Sequence, residues 1–183
     1  MTFIRKLRGW QFWRQWYLAN CLGIALPPTI AWAVFWAYGY FLGLVLIPIS
    51  WGIAQSLVLR EILPDLSLWA VVTILGCLVG GLCSSLLLSF TAGSSGILLF
   101  LQILIVLLAF GISVGLAQWL RLRSQLARAH WWILANTIAV PLAAIPQGLV
   151  FSLPSPLGQA IAYAGTGAIY ATVTGVCLIW LMP

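Results

Sequence analysis

Charge is confined to one side of the membrane if this chain is threaded as six hydrophobic spans. All eight Lys and Arg residues and both acidic residues, Glu61 and Asp65, then fall on that side, while the loops of the opposite side are neutral. Positive residues are retained on the cytoplasmic side of membrane proteins. The sequence therefore predicts a multi-pass membrane protein with both termini in the cytoplasm.

Six apolar segments are long enough to cross a bilayer. A span needs about 20 apolar residues, because the hydrocarbon core is about 30 Å thick and a helix rises about 1.5 Å per residue. Only 5% of the residues are charged and 63% are hydrophobic, which is too little charge for a water-facing surface. The expected fold is all-α, a single transmembrane domain over 16–183, with spans at 16–36, 40–59, 68–90, 96–120, 131–152 and 160–181.

The segment before the first span is expected to lie on the membrane surface. Residues 1–15 alternate bulky apolar side chains with cations, which is typical of an amphipathic interfacial helix. We attribute the net charge of +6 to topology and to contacts with anionic lipid headgroups or a partner protein, not to nucleic acid. The residues expected to make these contacts are Arg5, Lys6, Arg8, Arg14, Arg121, Arg123 and Arg128. Boundary tryptophans, among them Trp16, Trp69 and Trp132, are expected at headgroup level with wet indole N–H groups.

The chain contains an internal repeat. Residues 52–60 read GIAQSLVLR and residues 115–123 read GLAQWLRLR, and WYLAN at 16–20 returns as WILAN at 132–136. We interpret 16–60, 69–123 and 132–183 as three helical hairpins, which are parallel repeats because each holds two spans. They are expected to form a pseudo-threefold bundle, with an irregular arrangement as the alternative. Alignment of the closing TGVCLIWL on Gly175 predicts that the third hairpin lacks both the Gln and the Arg.

These repeated segments resemble those of a group of multi-span membrane proteins of cyanobacteria. The resemblance is carried by GxxQWLxLR, by the WxLAN helix starts and by the closing TGxxLxWL, and it covers most of the chain. It implies a bacterial membrane, either plasma or thylakoid, and no particular activity.

Five polar residues are expected to share one layer near the cytoplasmic face. Asn20 and Asn136 lie four residues after a boundary Trp, Thr73 matches them, and Gln55 and Gln118 lie five residues before a boundary Arg. We predict hydrogen bonds within the hairpins, between Asn20 and Gln55 and between Thr73 and Gln118. An unpaired amide in hydrocarbon costs several kcal/mol. The layer therefore either holds the helices in register or lines a site for a neutral ligand.

The outward helix of each hairpin carries a helix-breaking sequence at a matching depth. These sequences are Pro27-Pro28, Gly80-Gly81 and Pro141. Proline removes a backbone hydrogen bond and kinks a helix, so each outward helix is expected to be interrupted near mid-membrane. Such interruptions mark binding sites in some transporters, and in other proteins they only shape the helix.

Groups able to perform catalysis are scarce. His130 is the only histidine and lies in a charged loop, both acids lie at the membrane edge, and the four cysteines have no metal-ligand spacing. We therefore expect a protein that is not an enzyme and holds no metal or cofactor. Its expected role is that of a scaffold, accessory subunit or assembly factor of a bacterial membrane complex.

Two other hypotheses remain open from the sequence. In the first, the protein binds or transports a small neutral solute at a site lined by Asn20, Gln55, Gln118 and Asn136. In the second, it binds a chlorophyll or a carotenoid against aromatic side chains, the candidates being Trp32, Trp36, Tyr40, Phe41 and Trp51.

Overall fold

The chain is mostly helical over the residues that the structure describes. The computed structural model describes residues 9–35, 39–63, 66, 68–90, 95–148 and 155–182, without the side chains of residues 32, 35, 40, 41 and 44. In these ranges the helices are α1 (Gly9–Phe35), α2 (Gly39–Leu59), α3 (Trp69–Ser89), α4 (Gly96–Leu122), α5 (Trp131–Ala143) and α6 (Pro156–Leu181), with a 3₁₀ turn at Ile145–Gln147 after α5.

The helices form a closed ring. Each of α2 to α5 packs against the helix before it and the helix after it, and α6 packs against both α5 and α1. Within a pair, Gly23 of α1 lies against Trp51 of α2, while Gly43 lies against Pro28, so the two helices run in opposite directions. Because the last helix returns to the first, the inside of the ring becomes the core.

The polarity of the surface is inverted relative to a water-soluble protein. Along α1 the exposed positions recur every four residues at Leu18, Leu22, Leu26 and Ile30. The amide and hydroxyl side chains at the centre of the ring are completely buried. Helices α3, α4 and α6 are long and apolar enough to cross a membrane. Apolar outside and polar inside is the arrangement that a lipid environment favours.

Glycine allows the helices of the first two pairs to approach closely. Gly23 and Gly76 each lie seven residues after a tryptophan at the cytoplasmic end of the expected span. A Cβ atom on Gly23 would lie 2.9 Å from the Cα of Trp51, and one on Gly76 would lie 2.9 Å from the Cα of Val114. Small residues of this kind pack helices tightly where no hydrophobic effect drives them together.

The expected interruptions are wrong for two of the three outward helices. Helix α1 is continuous through Pro27-Pro28 and α3 is continuous through Gly80-Gly81, whereas α5 ends at Ala143 and gives way to the 3₁₀ turn. Pro27 has no N–H for the carbonyl of Gly23, but the hydroxyl of Ser50 on α2 donates a hydrogen bond to that carbonyl. A neighbouring helix thus provides a donor for the acceptor that Pro27 frees, and α1 is continuous through Pro28 as well.

The described cations lie at one end of the ring. One hydrophobic cluster contains Leu59 and Leu122, at the ends of α2 and α4, together with Trp16. Arg60 and Arg123 follow these leucines directly, so both lie at the end where α1 and α3 begin. Helix α1 runs without a break across residues 15 and 16, where the interfacial arm was expected to meet the span. Arg5, Lys6, Arg8 and Asp65 lie outside the described residues.

Candidate functional site

The five polar residues selected from the sequence meet in one buried layer. The side-chain amide of Gln55 donates to Asn20 Oδ1 at 2.8 Å, and that of Gln118 donates to Thr73 Oγ1 at 2.9 Å. Both hydrogen bonds expected within the hairpins are therefore present. Gln118 also donates to Gln55 Oε1 at 3.2 Å, which joins the two pairs across the ring.

Each asparagine has an aromatic donor on the return helix of its own pair. Trp51 Nε1 donates to Asn20 Oδ1 at 2.7 Å, and the hydroxyl of Tyr170 donates to Asn136 Oδ1. The amide nitrogen of each asparagine donates one turn back, to the carbonyl of Trp16 or Trp132, at 2.8 and 2.9 Å. Trp51 and Tyr170 are thus also members of the layer. The hydropathy pattern did not identify them, because aromatic residues count as apolar in it.

Three tryptophans link each helix pair to the preceding one around the ring. Trp69 Nε1 donates to Gln55 Oε1 at 3.0 Å, and Trp132 Nε1 donates to Gln118 Oε1 at 2.9 Å. Trp16 Nε1 donates to Thr174 Oγ1 at 3.1 Å, which joins the last pair back to the first. Their rings meet edge to face, with centroids 6.2 Å apart for Trp16 and Trp132 and 6.1 Å apart for Trp69 and Trp132.

The expectation of wet indole N–H groups is wrong for these three tryptophans. Trp16, Trp69 and Trp132 are 0% exposed. A tryptophan is drawn to the interface when its N–H needs water. Here a protein oxygen on a neighbouring helix accepts that N–H, so the whole indole is buried. Among the described boundary tryptophans, Trp10 and Trp180 are more than half exposed, at 68% and 52%.

Thr174 occupies the place of the glutamine in the third pair. Gly111, seven residues before Gln118, lies against the backbone carbonyl of Asn136, and a Cβ there would be 2.6 Å from it. Gly167, seven residues before Thr174, lies in the same way against the carbonyl of Asn20, also at 2.6 Å. The alignment on Gly175 was therefore displaced by four residues, one helical turn. The prediction that the third hairpin has no glutamine at this place was correct. It did not include the hydroxyl of Thr174, which accepts the hydrogen bond instead.

Each carboxamide of the layer makes hydrogen bonds to other groups of the protein. Asn20 Oδ1 and Gln55 Oε1 each accept two hydrogen bonds, and the amide nitrogens of Asn20, Gln55, Gln118 and Asn136 all donate within the protein. A buried polar network with all its members paired holds its elements in one arrangement. These hydrogen bonds join α2 to α1, α3 and α4.

Two arginines at the charged end lie over tryptophan rings. The guanidinium carbon of Arg123 is 5.3 Å from the ring centroid of Trp119, and that of Arg128 is 5.4 Å from the ring centroid of Trp180. Arg14, Arg60, Arg123 and Arg128 are exposed. Cation–π contacts at exposed sites contribute roughly 0.5–1 kcal/mol, enough to orient the arginines but not to bury them.

An apolar groove opens between α5 and α6 beside Arg128. Its volume is about 260 Å³. The indole rings of Trp131 and Trp180 stand at one end, with centroids 5.9 Å apart and planes at 87°. The lining residues are Trp131, Leu134, Ala135, Ile138, Val173, Val176, Cys177 and Trp180.

The remaining sequence candidates contribute little to the layer. His130 is exposed and lies beside Trp131, with ring centroids 5.6 Å apart. Among the aromatic candidates for pigment binding, Trp51 is buried and bonded to Asn20, while Trp36 and the side chains of Trp32, Tyr40 and Phe41 lie outside the described residues.

No protein-family model, curated protein or solved structure matches this chain. The geometry of the amide layer, the charged end and the apolar exterior therefore carries the functional argument.

Proposed function

We propose that this chain is a non-enzymatic integral membrane protein that acts as a scaffold, accessory subunit or assembly factor of a bacterial membrane complex. It crosses the plasma or thylakoid membrane six times, as the three parallel-repeat hairpins 16–60, 69–123 and 132–183. Both termini are cytoplasmic, since positive residues are retained on that side. The repeated contacts of Gln55, Gln118 and Thr174 with a tryptophan of the next hairpin support a pseudo-threefold arrangement.

The scaffold proposal rests on one observation: the polar side chains of the buried layer form hydrogen bonds with other groups of the protein. A protein that carries a neutral solute must exchange hydrogen bonds between its own groups and the solute. Here the carboxamide oxygen of Gln118 is held by Trp132 and that of Asn136 by Tyr170. A solute would have to break these bonds before it gained its own. The surfaces left for interaction are the apolar exterior and the exposed cations.

Affinity purification from the native membrane, followed by mass spectrometry, tests this proposal. We expect a defined membrane complex to co-purify with the chain. Replacing Arg121, Arg123 and Arg128 together by Glu should release the partner while the bundle stays folded. The matched variant with Lys at the three positions keeps the positive charge and should retain the partner, because lysine still acts as a point charge. A chain that purifies alone with a bound small molecule would contradict the scaffold role.

A further inference from the structure

The third hairpin differs from the other two at the point where its helices meet. In each hairpin one residue accepts the indole N–H of a tryptophan, and we align the hairpins on that acceptor. The residue before the acceptor is Ala54 in the first hairpin, Ala117 in the second and Val173 in the third. Ala139 lies seven residues after Trp132 and corresponds to Gly23 and Gly76.

In the first two hairpins this position holds a glycine packed on an alanine. A Cβ on Gly23 would lie 3.2 Å from the Cβ of Ala54, and one on Gly76 would lie 3.0 Å from the Cβ of Ala117. In the third hairpin the corresponding residues are larger, Ala139 and Val173. Val173 lines a groove between α5 and α6, whereas Ala139 is completely buried.

The groove is apolar along its length and open to the outside. It runs from Trp131 and Trp180 at the charged end to Ile138 and Val173, about 10 Å along the helix axes. Leu134, Ile138 and Val176 on its walls are 45%, 46% and 60% exposed. Its volume of about 260 Å³ is below the roughly 300–1,000 Å³ of pockets for drug-sized ligands, so it suits a slender chain better than a broad ring.

A cation stands at the mouth of this groove. Arg128 is exposed, and its guanidinium lies over the indole ring of Trp180, which lines the groove. An occupant that fits the whole site is therefore apolar along about 10 Å and negatively charged at the end nearest Arg128. Basic sites between transmembrane helices on the cytoplasmic side bind anionic lipid headgroups.

We propose that the groove between α5 and α6 binds one anionic phospholipid, with an acyl chain between Trp131 and Ile138 and its phosphate at the guanidinium of Arg128. This site rests on the proposed membrane placement of the chain but not on its scaffold role. The lipid would fill the groove that Val173 and Val176 line, and the third hairpin would then present a smooth surface to its surroundings.

Native mass spectrometry of the full-length chain in detergent tests the site, with phosphatidylglycerol and phosphatidylcholine of identical acyl chains as probes. We expect one phosphatidylglycerol to be retained in preference to phosphatidylcholine. The Arg128→Gln variant should bind phosphatidylglycerol about fivefold more weakly, the factor typical of one arginine at an anionic headgroup. The matched Arg123→Gln variant, whose arginine lies over Trp119 away from the groove, should bind it normally.

A second pair of variants tests the acyl-chain site independently of charge. The Val176→Trp variant should fill the groove and weaken binding of both lipids, whereas Ile179→Trp, on α6 outside the lining, should weaken neither.

Equal losses for Arg128→Gln and Arg123→Gln, or normal binding by Val176→Trp, would overturn the proposal. So would displacement of the lipid by free glycerol phosphate, or a stable dimer that covers the groove. The lipid-binding measurement does not depend on the partner purification, so the lipid site can still be tested if the scaffold role is wrong.

Discussion

Trp16 and Thr174, 158 residues apart in the chain, are joined by a hydrogen bond of 3.1 Å from the indole Nε1 to the hydroxyl Oγ1. This contact joins the first helix to the last. Trp69 with Gln55 and Trp132 with Gln118 make the corresponding contacts between successive helix pairs. The ring is therefore held at three similar places, and the acceptor where the last helix meets the first is a hydroxyl instead of a carboxamide.

Removal of that hydroxyl should destabilise the closed ring. Thr174→Val keeps nearly the same volume but leaves the buried N–H of Trp16 without an acceptor. We expect a loss of about 1–2 kcal/mol in the free energy of unfolding, measured by SDS titration in mixed micelles. Thr172→Val is the matched control, because Thr172 is exposed on the same helix and its hydroxyl donates to the carbonyl of Ala168, one turn back in that helix. Equal stability of the two variants would contradict the role assigned to Thr174.

Loss of Gln55 should be costly mainly because it leaves its partners unpaired. Gln55→Leu removes the acceptor of both Trp69 and Gln118, and we expect a loss of about 2 kcal/mol in unfolding free energy. Adding Trp69→Phe should then cost less than the same change in the wild-type chain, because the unpaired N–H is removed with it. The exposed Gln11→Leu substitution serves as the control. Additive losses for Gln55 and Trp69 would show that the two side chains do not interact.

Two glycines of α3 should respond in opposite ways to an added methyl group. Gly76→Ala places a Cβ 2.9 Å from the Cα of Val114, and overpacking of this kind costs roughly 1–3 kcal/mol. Around Gly81 a Cβ would meet nothing within 4 Å. Gly81→Ala should therefore be neutral or stabilise the helix by up to about 1 kcal/mol. Thermal unfolding of the two variants in the same detergent compares them directly, and a stable Gly76→Ala protein would refute the close packing.

Ser50 and Pro27 should be coupled energetically. Ser50→Ala leaves the carbonyl of Gly23 without the donor that replaces the missing N–H of Pro27, and we expect a loss of about 1 kcal/mol. In a Pro27→Ala background a backbone N–H is available again, so Ser50→Ala should have little effect. A double-mutant cycle of unfolding free energies measures the difference. The same loss in both backgrounds would show that Ser50 acts in some other way.

The six-span topology can be tested by labelling single cysteines in a chain whose four native cysteines are replaced by serine. Cysteines introduced at Glu61 and Ser124 should react with a membrane-impermeant maleimide from the cytoplasmic side, since both positions lie at the charged end. Cysteines at Ser95 and Ser155, before the first turns of α4 and α6, should react from the opposite side. Labelling of Glu61→Cys and Ser124→Cys from different sides would exclude the proposed topology.

Local sequence patterns were sufficient for much of the buried layer. Asn20, Gln55, Thr73 and Gln118 could be paired in advance, because their distances from a boundary Trp or Arg place them at one depth on adjacent helices. The prolines were less informative. Helix α1 continues through Pro27, and the carbonyl that this proline leaves free accepts a hydrogen bond from Ser50, 23 residues later on another helix.

The sequence by itself determined the helical class, the apolar exterior and the one-sided distribution of charge, because each follows from composition and from spacing along a single helix. Only the tertiary structure decided that Thr174 takes the glutamine's place and that Trp16, Trp69 and Trp132 are buried. Their positions depend on the register between helices. The close approach of Gly111 and Gly167 to carbonyls on other helices is part of that register, and no local pattern encodes it.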